Sequence, residues 1–319
     1  MECKKCINTS DNSFMRFNDV GYCSVCEAYE KYFDAGMLKK ELIFLKSFAK
    51  KRKGKYNVIV GLSGGKDSSA TLYLAKKIGF SPLAFSLDTG YFPGYIFRRA
   101  KVVAKACKAD YKILPAKHYV TKKTIQKFRQ MTRLYERNDK KEFMQDYVKG
   151  RAGYQGIVRP CWVCRDILIR AYYNEALKHN VQIVILGINE WTCLKQSTTK
   201  KRVSFSAIRK LKPFKDKPAV FIVHLPFLLQ VKLKDTRRIL KKIGWNYYKT
   251  VQSNAYSCLL ACAAEKQLYK NLGFHPDTTR LAREVTVGFL SKKEARNALK
   301  RVKTCQETIK EVLNKAKLV

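Results

Sequence analysis

The chain has 319 residues, 46% of them hydrophobic, and carries 65 Lys or Arg against 25 Asp or Glu, a formal charge of +40. The apolar share supports a substantial core with smaller modules around it and excludes a disordered polyelectrolyte. A positive charge this poorly balanced repels itself unless a polyanion offsets it, so nucleic acid is the expected partner, ahead of an anionic membrane surface. No run approaches the roughly 20 apolar residues of a spanning helix, and Met1 to Cys6 has no apolar signal-peptide core. A cytoplasmic protein with no membrane partner is therefore expected. Its eleven cysteines, several in close pairs, then suit metal ligands and reactive thiols better than a disulfide framework.

Residues 1–30 contain Cys3-x2-Cys6 and Cys23-x2-Cys26. Two such knuckles have the spacing of a tetrahedral structural zinc site, which would hold together a module too small for its own core. Residues 31–55 read as a helical linker, Lys31 to Lys50, ending in a basic hinge. Residues 56–250 alternate apolar strands with helices. NVIVGLS precedes the helical DSSATLYLAKKIG, then come LAFSLD at 83–88, a helix near 95–108 and YKILPA at 111–116. That alternation is the pattern of a parallel sheet covered on both faces.

Two basic insertions interrupt this α/β unit. Residues 117–158 read as polar and helical, with Lys122, Lys123, Lys127, Arg129, Arg133 and Arg137. After a helix over about 166–179 and a strand over 181–186, residues 194–217 read as a surface loop carrying Lys200, Lys201, Arg202, Arg209, Lys210 and Lys212. Tyr135, Phe205 and Phe214 lie among these charges, where they could stack on displaced bases. Residues 251–319 form a C-terminal helical region, with helices around 255–271 and from Ser291, whose Glu294 completes a capping box.

The stretch Ser63-Gly64-Gly65-Lys66-Asp67-Ser68 follows the first strand and enters a helix. Unpaired N–H groups at a helix start, small residues that admit an anion, a mobile lysine and two hydroxyls make a phosphate cradle. It lacks the G-x-x-x-x-G-K-[ST] pattern of P-loop NTPases. Cys161-Trp-Val-Cys164, flanked by Arg159 and Arg165, offers two thiols whose pKa values the arginines are expected to lower. Such a pair needs further ligands or acts as a redox couple. Cys258 and Cys262 stand one helical turn apart, so either could add a third thiolate, and three cysteines on a [4Fe–4S] cluster would leave one iron open. Gly187 and Asn189 end a strand on the side where such folds place ligands.

SGGKDS resembles the signature of the N-type ATP pyrophosphatases, the PP-loop superfamily. The resemblance implies a Rossmann-like parallel-sheet domain that binds ATP and Mg2+ and lets a substrate oxygen attack the α-phosphate. It implies that Gly64, Gly65, Lys66 and Ser68 hold the pyrophosphate portion with Ser63 at the lip, that Asp67 orients the loop or the magnesium, and that Asp88 approaches the nucleoside or metal. The order double knuckle, SGGKDS, PCxxC further resembles the ATP pyrophosphatases that thiolate tRNA uridines through a three-cysteine cluster. By that resemblance Cys161 and Cys164 match the first two cluster ligands and Cys258 is the candidate third. The chain departs from them in lacking a second, C-terminal knuckle pair. The closing segment, Leu268 to Phe274 and Arg283 through Ala295, is similar instead to the N-acetyl sugar amidotransferases, which would need ammonia from a glutaminase partner.

The charge favours the RNA acceptor, since a folded tRNA presents many phosphates and a sugar nucleotide few. The expected reaction adenylates a base carbonyl oxygen and displaces AMP with sulfur, leaving the sulfur donor and a possible homodimer open. Cys107 reads as a buried small residue, Cys193 and Cys305 lack a partner at motif spacing, His275 reads as a turn residue, and His118, His179 and His224 show no ligand cluster.

Overall fold

The computed structural model describes residues 1–318 apart from 52–53, 152–156, 197–202, 213–215 and 246–250. Six strands form one sheet in the order β3 (Asp110–Pro115), β2 (Pro82–Asp88), β1 (Val58–Gly61), β4 (Ile183–Leu186), β8 (Val220–His224) and β7 (Ile208–Leu211). All neighbours pair in parallel except β7, which runs antiparallel to β8 at one edge. Every residue of β1 is buried, as expected for a central strand covered on both faces.

The chain leaves β1 toward β2 and β3 on one side and returns to place β4 and β8 on the other. The sheet order therefore reverses between β1 and β4, and the crevice beyond their carboxyl ends is where open α/β sheets take ligands. After β1 comes α3 (Lys66–Lys77) and after β4 comes Gly187, so the phosphate loop and Gly187 meet at that crevice.

Helices α1 (Ser24–Tyr32) and α2 (Ala35–Lys50) are separate. The Asp34 side chain caps α2 by accepting the Gly36 N–H at 2.8 Å, which breaks the continuous helix expected from Lys31. α2 buries Leu38, Leu45 and Ala49 in the main core. The first basic insertion is helical, as α5 (Lys122–Arg137) and α6 (Lys140–Arg151). The second differs from the expected loop: β5 (Cys193–Gln196) pairs with β6 (Val203–Ser206) as a hairpin, and β7 enters the main sheet. Buried Ile208 and Phe205 supply the apolar anchor that the surrounding charges obscure.

α7 (Pro160–Lys178) begins six residues before the expected start, because Pro160 opens the helix at its first turn rather than preceding it. α4 (Gly94–Ala106), α8 (Leu225–Leu228) and α9 (Leu233–Lys242) flank the sheet, while α10 (Leu259–Leu272), α11 (Thr278–Thr286), α12 (Lys292–Leu299) and α13 (Ile309–Lys315) close the chain. α10 and α13 share an apolar cluster with α5, α6 and α7. No helix among the described residues is long and apolar enough to cross a membrane.

His224, buried at the end of β8, donates Nδ1–H to the Glu190 carbonyl at 2.7 Å. Burial depresses its pKa from 6.5 to about 4, so between those values the unfolded chain binds the extra proton. Stability is full above pH 6.5 and falls as pH drops toward 4, at about 1.4 kcal/mol per pH unit. The unfolding free energy is expected to be roughly 2 kcal/mol lower at pH 5 than at pH 7 from this group, a difference that His224→Asn should remove. Urea titrations giving both proteins the same pH slope would refute it.

Candidate functional site

Gly64 takes φ of +69°, and a Cβ there would lie 2.4 Å from the Ile96 carbonyl oxygen of α4, so the loop can pass only with glycine. A Cβ on Gly187 would come within 2.7 Å of the Ser68 backbone, which makes the end of β4 the floor under α3. Ser68 Oγ accepts the Ser63 N–H at 3.1 Å and donates to the Gly65 carbonyl at 3.1 Å. Trp245 Nε1 donates to the Gly64 carbonyl at 3.1 Å. These bonds fix the loop while the first turn of α3 has no side-chain cap, leaving its N–H groups for an anion.

Residues Ser63 to Ser68 line a cleft of about 430 Å³ that also takes in Phe85, Tyr172, Gly187, Tyr256 and Ser257. Lys66 Nζ pairs with Asp67 at 2.5 Å and lies 5.4 Å from the centre of the Phe289 ring. Asp88 is not on the cleft wall; its Oδ1 accepts the Gly90 N–H at 2.9 Å.

Two residues that the sequence reading missed complete the crevice. Arg280 and Glu284, one turn apart on α11, pair at 3.1 Å. Arg280 also reaches Asp277 at 3.2 Å and the Gln252 carbonyl at 3.3 Å, and Asn189 Nδ2 approaches Glu284 Oε1 at 3.5 Å. Burial pushes the Glu284 carboxyl up against the pull of Arg280 and Lys66, and nearby Asp67 adds to the rise. Asp67 Oδ1, Asn189 Oδ1 and Glu284 Oε2 are buried without a hydrogen-bond partner. Three orphaned oxygen acceptors around one phosphate loop fit a hard divalent cation such as Mg2+. The i,i+4 spacing of Arg280 and Glu284 in the C-terminal segment was the available signal.

Cys161 and Cys164 lie in the first two turns of α7, and Cys258 caps α10, its sulfur accepting the Ala261 N–H at 3.4 Å. Tyr91 joins them: its hydroxyl is 2.6 Å from Cys164 Sγ and its carbonyl accepts the Leu259 N–H at 3.2 Å. Ser257, beside Cys258, is on the cleft wall.

The arginines do not lower these thiols. Burial raises Cys164 well above the usual thiol range, with Cys258 adding to it, and takes Cys258 up to about 12, with Cys161 adding to it. Cys161 is open to solvent on one side, yet the protein mass behind it raises its thiol too, against the pull of Arg159. Arg159 is engaged with Asp277 at 3.4 Å. Cys258 raises the Cys164 thiol and is itself raised by Cys161, so it is the third sulfur of this neighbourhood.

Cys3, Cys6, Cys23 and Cys26 are all buried, with their sulfurs within 4.8 Å of one another, the only such group of donors among the described residues. Sulfurs this close cannot all ionise without a cation among them; Cys23 pushes the Cys26 thiol up to about 12. The set fits a single tetrahedral metal. Cys161, Cys164 and Cys258 form no such tight group among the described residues.

Among the residues expected to meet RNA, Lys127 is buried against Asp166 at 2.5 Å and Phe205 is buried beside Trp191, so neither can meet it. Lys122, Lys123, Arg129, Arg133 and Arg137 line the exposed side of α5. Tyr135 is half-buried and donates to the Val158 carbonyl at 2.9 Å. Lys200, Lys201, Arg202 and Phe214 lie outside the described residues.

No protein-family model matches the chain. It is 24% identical to an uncharacterized protein of Methanocaldococcus jannaschii over 98% of each chain. Over 143 residues it is 29% identical to the tRNA-specific 2-thiouridylase MnmA 1 of Clostridium tetani, a match spanning 43% of this chain and 35% of that one. Among solved structures, the NH3-dependent NAD synthetase from Campylobacter jejuni, in complex with nitrate, aligns over 48% of this chain and 56% of that one, with 16% identity and a TM-score of 0.28. The SGGKDS loop and the partial match to the thiouridylase are similar to the PP-loop ATP pyrophosphatase superfamily, over part of the chain's length and at a distance.

Proposed function

We propose that the protein is an ATP-dependent tRNA-modifying enzyme, a uridine sulfurtransferase that adenylates a base carbonyl oxygen and replaces it with sulfur. The observation that carries this reading is that the cleft of the phosphate loop borders the three sulfurs. Its wall runs from the phosphate loop to Ser257, next to Cys258 and the other two sulfurs.

In this reading the N–H groups at the start of α3 and Lys66 hold the ATP phosphates, with Asp67, Asn189 and Glu284 as the residues that would hold Mg2+. The base oxygen attacks the α-phosphate, pyrophosphate leaves, and the oxygen becomes part of an AMP leaving group. A sulfur nucleophile then adds to the activated carbon and AMP departs. Cys161, Cys164 and Cys258 would hold a [4Fe–4S] cluster, which would supply an open iron for sulfide. The four knuckle cysteines would hold zinc, and the basic side of α5 would contact tRNA phosphates.

The test incubates the anaerobically purified protein with tRNA, Mg–ATP and sulfide, then measures thiolated nucleosides by mass spectrometry. Thiouridine is expected from the wild type and is expected to be lost in Cys164→Ser. Absence of any thionucleoside, with pyrophosphate released instead when an N-acetyl sugar nucleotide and ammonia are supplied, would replace sulfur transfer with the amidotransferase reading.

A further inference from the structure

Asp277 stands at the N-cap of α11, where an aspartate ordinarily accepts an N–H of its own helix. Its side chain makes no such bond. The buried carboxylate turns instead to three separate parts of the site. Oδ2 accepts the Asn254 N–H at 2.7 Å and Arg280 Nη2 at 3.2 Å, while Oδ1 accepts Asn254 Nδ2 at 3.2 Å and Arg159 Nη2 at 3.4 Å. The Asp277 N–H donates to His275 Nδ1 at 3.1 Å, which fixes the backbone that carries the carboxylate. Burial alone would raise this group, but Arg280 and Arg159 hold it below its ordinary value, so it meets both guanidiniums as an anion.

Each partner belongs to a different working part. Arg159 is the N-cap of α7, just ahead of Cys161. Asn254 lies on the cleft wall in the segment that runs to Cys258. Arg280 lies on the same wall and pairs with Glu284. We propose that Asp277 is the positioning residue that holds the two cysteine-bearing segments in register with the nucleotide cleft. The purpose rests on the sulfur-transfer reading above, whereas the clamp rests on the hydrogen bonds alone.

An asparagine at this position keeps an oxygen for Asn254 but offers the arginines no charge. Arg159 and Arg280 would then share a buried site without the anion between them, and the segments they anchor would loosen. Sulfur has to reach a carbon activated in the cleft. A cysteine segment out of register therefore lets adenylation run while sulfur delivery fails.

The experiment compares wild type, Asp277→Asn, Arg159→Gln and the double variant, measuring pyrophosphate released and thionucleoside formed from tRNA, Mg–ATP and sulfide in the same reaction. Arg159→Gln removes only the cysteine-side arm. It is expected to release pyrophosphate within about threefold of the wild type but to form at least about tenfold less thionucleoside per pyrophosphate, as reacting groups lose alignment. Asp277→Asn should show the same loss in that ratio together with slower pyrophosphate release, because Arg280 is freed too. The double variant should have a ratio no lower than Asp277→Asn. Losses that multiply in the double variant would show the two residues acting separately and overturn the proposal, as would an unchanged ratio in both single variants.

A second readout needs no acceptor. In the native protein, iodoacetamide alkylation of Cys258 is expected to quicken at least about tenfold in Asp277→Asn, and that of Cys164 in Arg159→Gln, as local opening becomes easier. Buried Cys107 should react as in the wild type, which reports that the fold is intact. Should Asp277→Asn expose Cys107 as well, Arg159→Gln decides by both readouts. A wild type that forms no thionucleoside while these rates rise would refute sulfur transfer and leave the clamp standing. Rates equal to those of the wild type would refute the clamp itself.

Discussion

Lys66→Ala is expected to lower ATP-dependent pyrophosphate release by at least about 100-fold, the order seen when one donor aimed at developing charge is removed. The cleft wall carries three cationic side chains, Lys66, Arg99 and Arg280. Arg280 is committed to Asp277, Glu284 and the Gln252 carbonyl, and Arg99 stacks on Tyr95 at 4.4 Å. Among the described residues Lys66 is bound only to its neighbour Asp67, and it rests on the Phe289 ring, so it can turn to a phosphate. The two side chains are only 18% and 22% exposed, so losing Lys66 leaves Asp67 without its cation and is expected to lower the melting temperature, and the comparison is made below it, where the variant should retain RNA. Measuring pyrophosphate release and tRNA retention side by side decides the matter. Intact ATP cleavage in a variant that still holds RNA would remove Lys66 from the chemistry.

Stripping the metal from the N-terminal knuckle, or Cys26→Ser, is expected to weaken Mg–ATP binding at least tenfold as well as to lower the melting temperature. The four cysteines share one apolar cluster with Leu281, Ala282, Val285 and Phe289, and Cys26 Sγ lies 3.2 Å from Thr286 Oγ1. Lys292 Nζ adds a bond to the Cys3 carbonyl at 2.7 Å. One side of α11 thus rests on the knuckle while Arg280 and Glu284, on the same helix, face Asp67. Loss of a structural metal removes several kcal/mol of folding free energy from so small a module, and α11 loses its support with it. Calorimetric ATP titration before and after chelation, with metal content measured on the same samples, is the check. Metal-free protein that binds Mg–ATP as tightly as before would uncouple knuckle and crevice.

What the sequence revealed follows from how local each signal is. The phosphate loop, the knuckles and the strands from Val58 to Pro115 are written in contiguous residues, and the structure places them as read. The second half of the crevice was not legible, because Arg280 and Glu284 approach Asp67 only through the packing of α11 on the knuckle. The cysteine pair lies inside α7 and not before it, because Pro160 sits at the helix start, where no N–H is needed. Charge misled in three places. Lys127 found Asp166, Phe205 found Trp191, and burial outweighed Arg159 at the thiols. Each of these depends on partners distant in sequence, which local composition does not encode.

The clasp between the knuckle and α11 also orders the events of synthesis. The ribosome delivers the knuckle, the phosphate loop and the five parallel strands before the helix that bears Glu284 and Arg280. Domains begin to fold while the rest is still being made, so a nascent chain can carry a formed sheet and a formed loop that lack their acidic counterpart. In the proposed reading such a chain holds the phosphate loop without Glu284, the carboxylate that would complete its cation site.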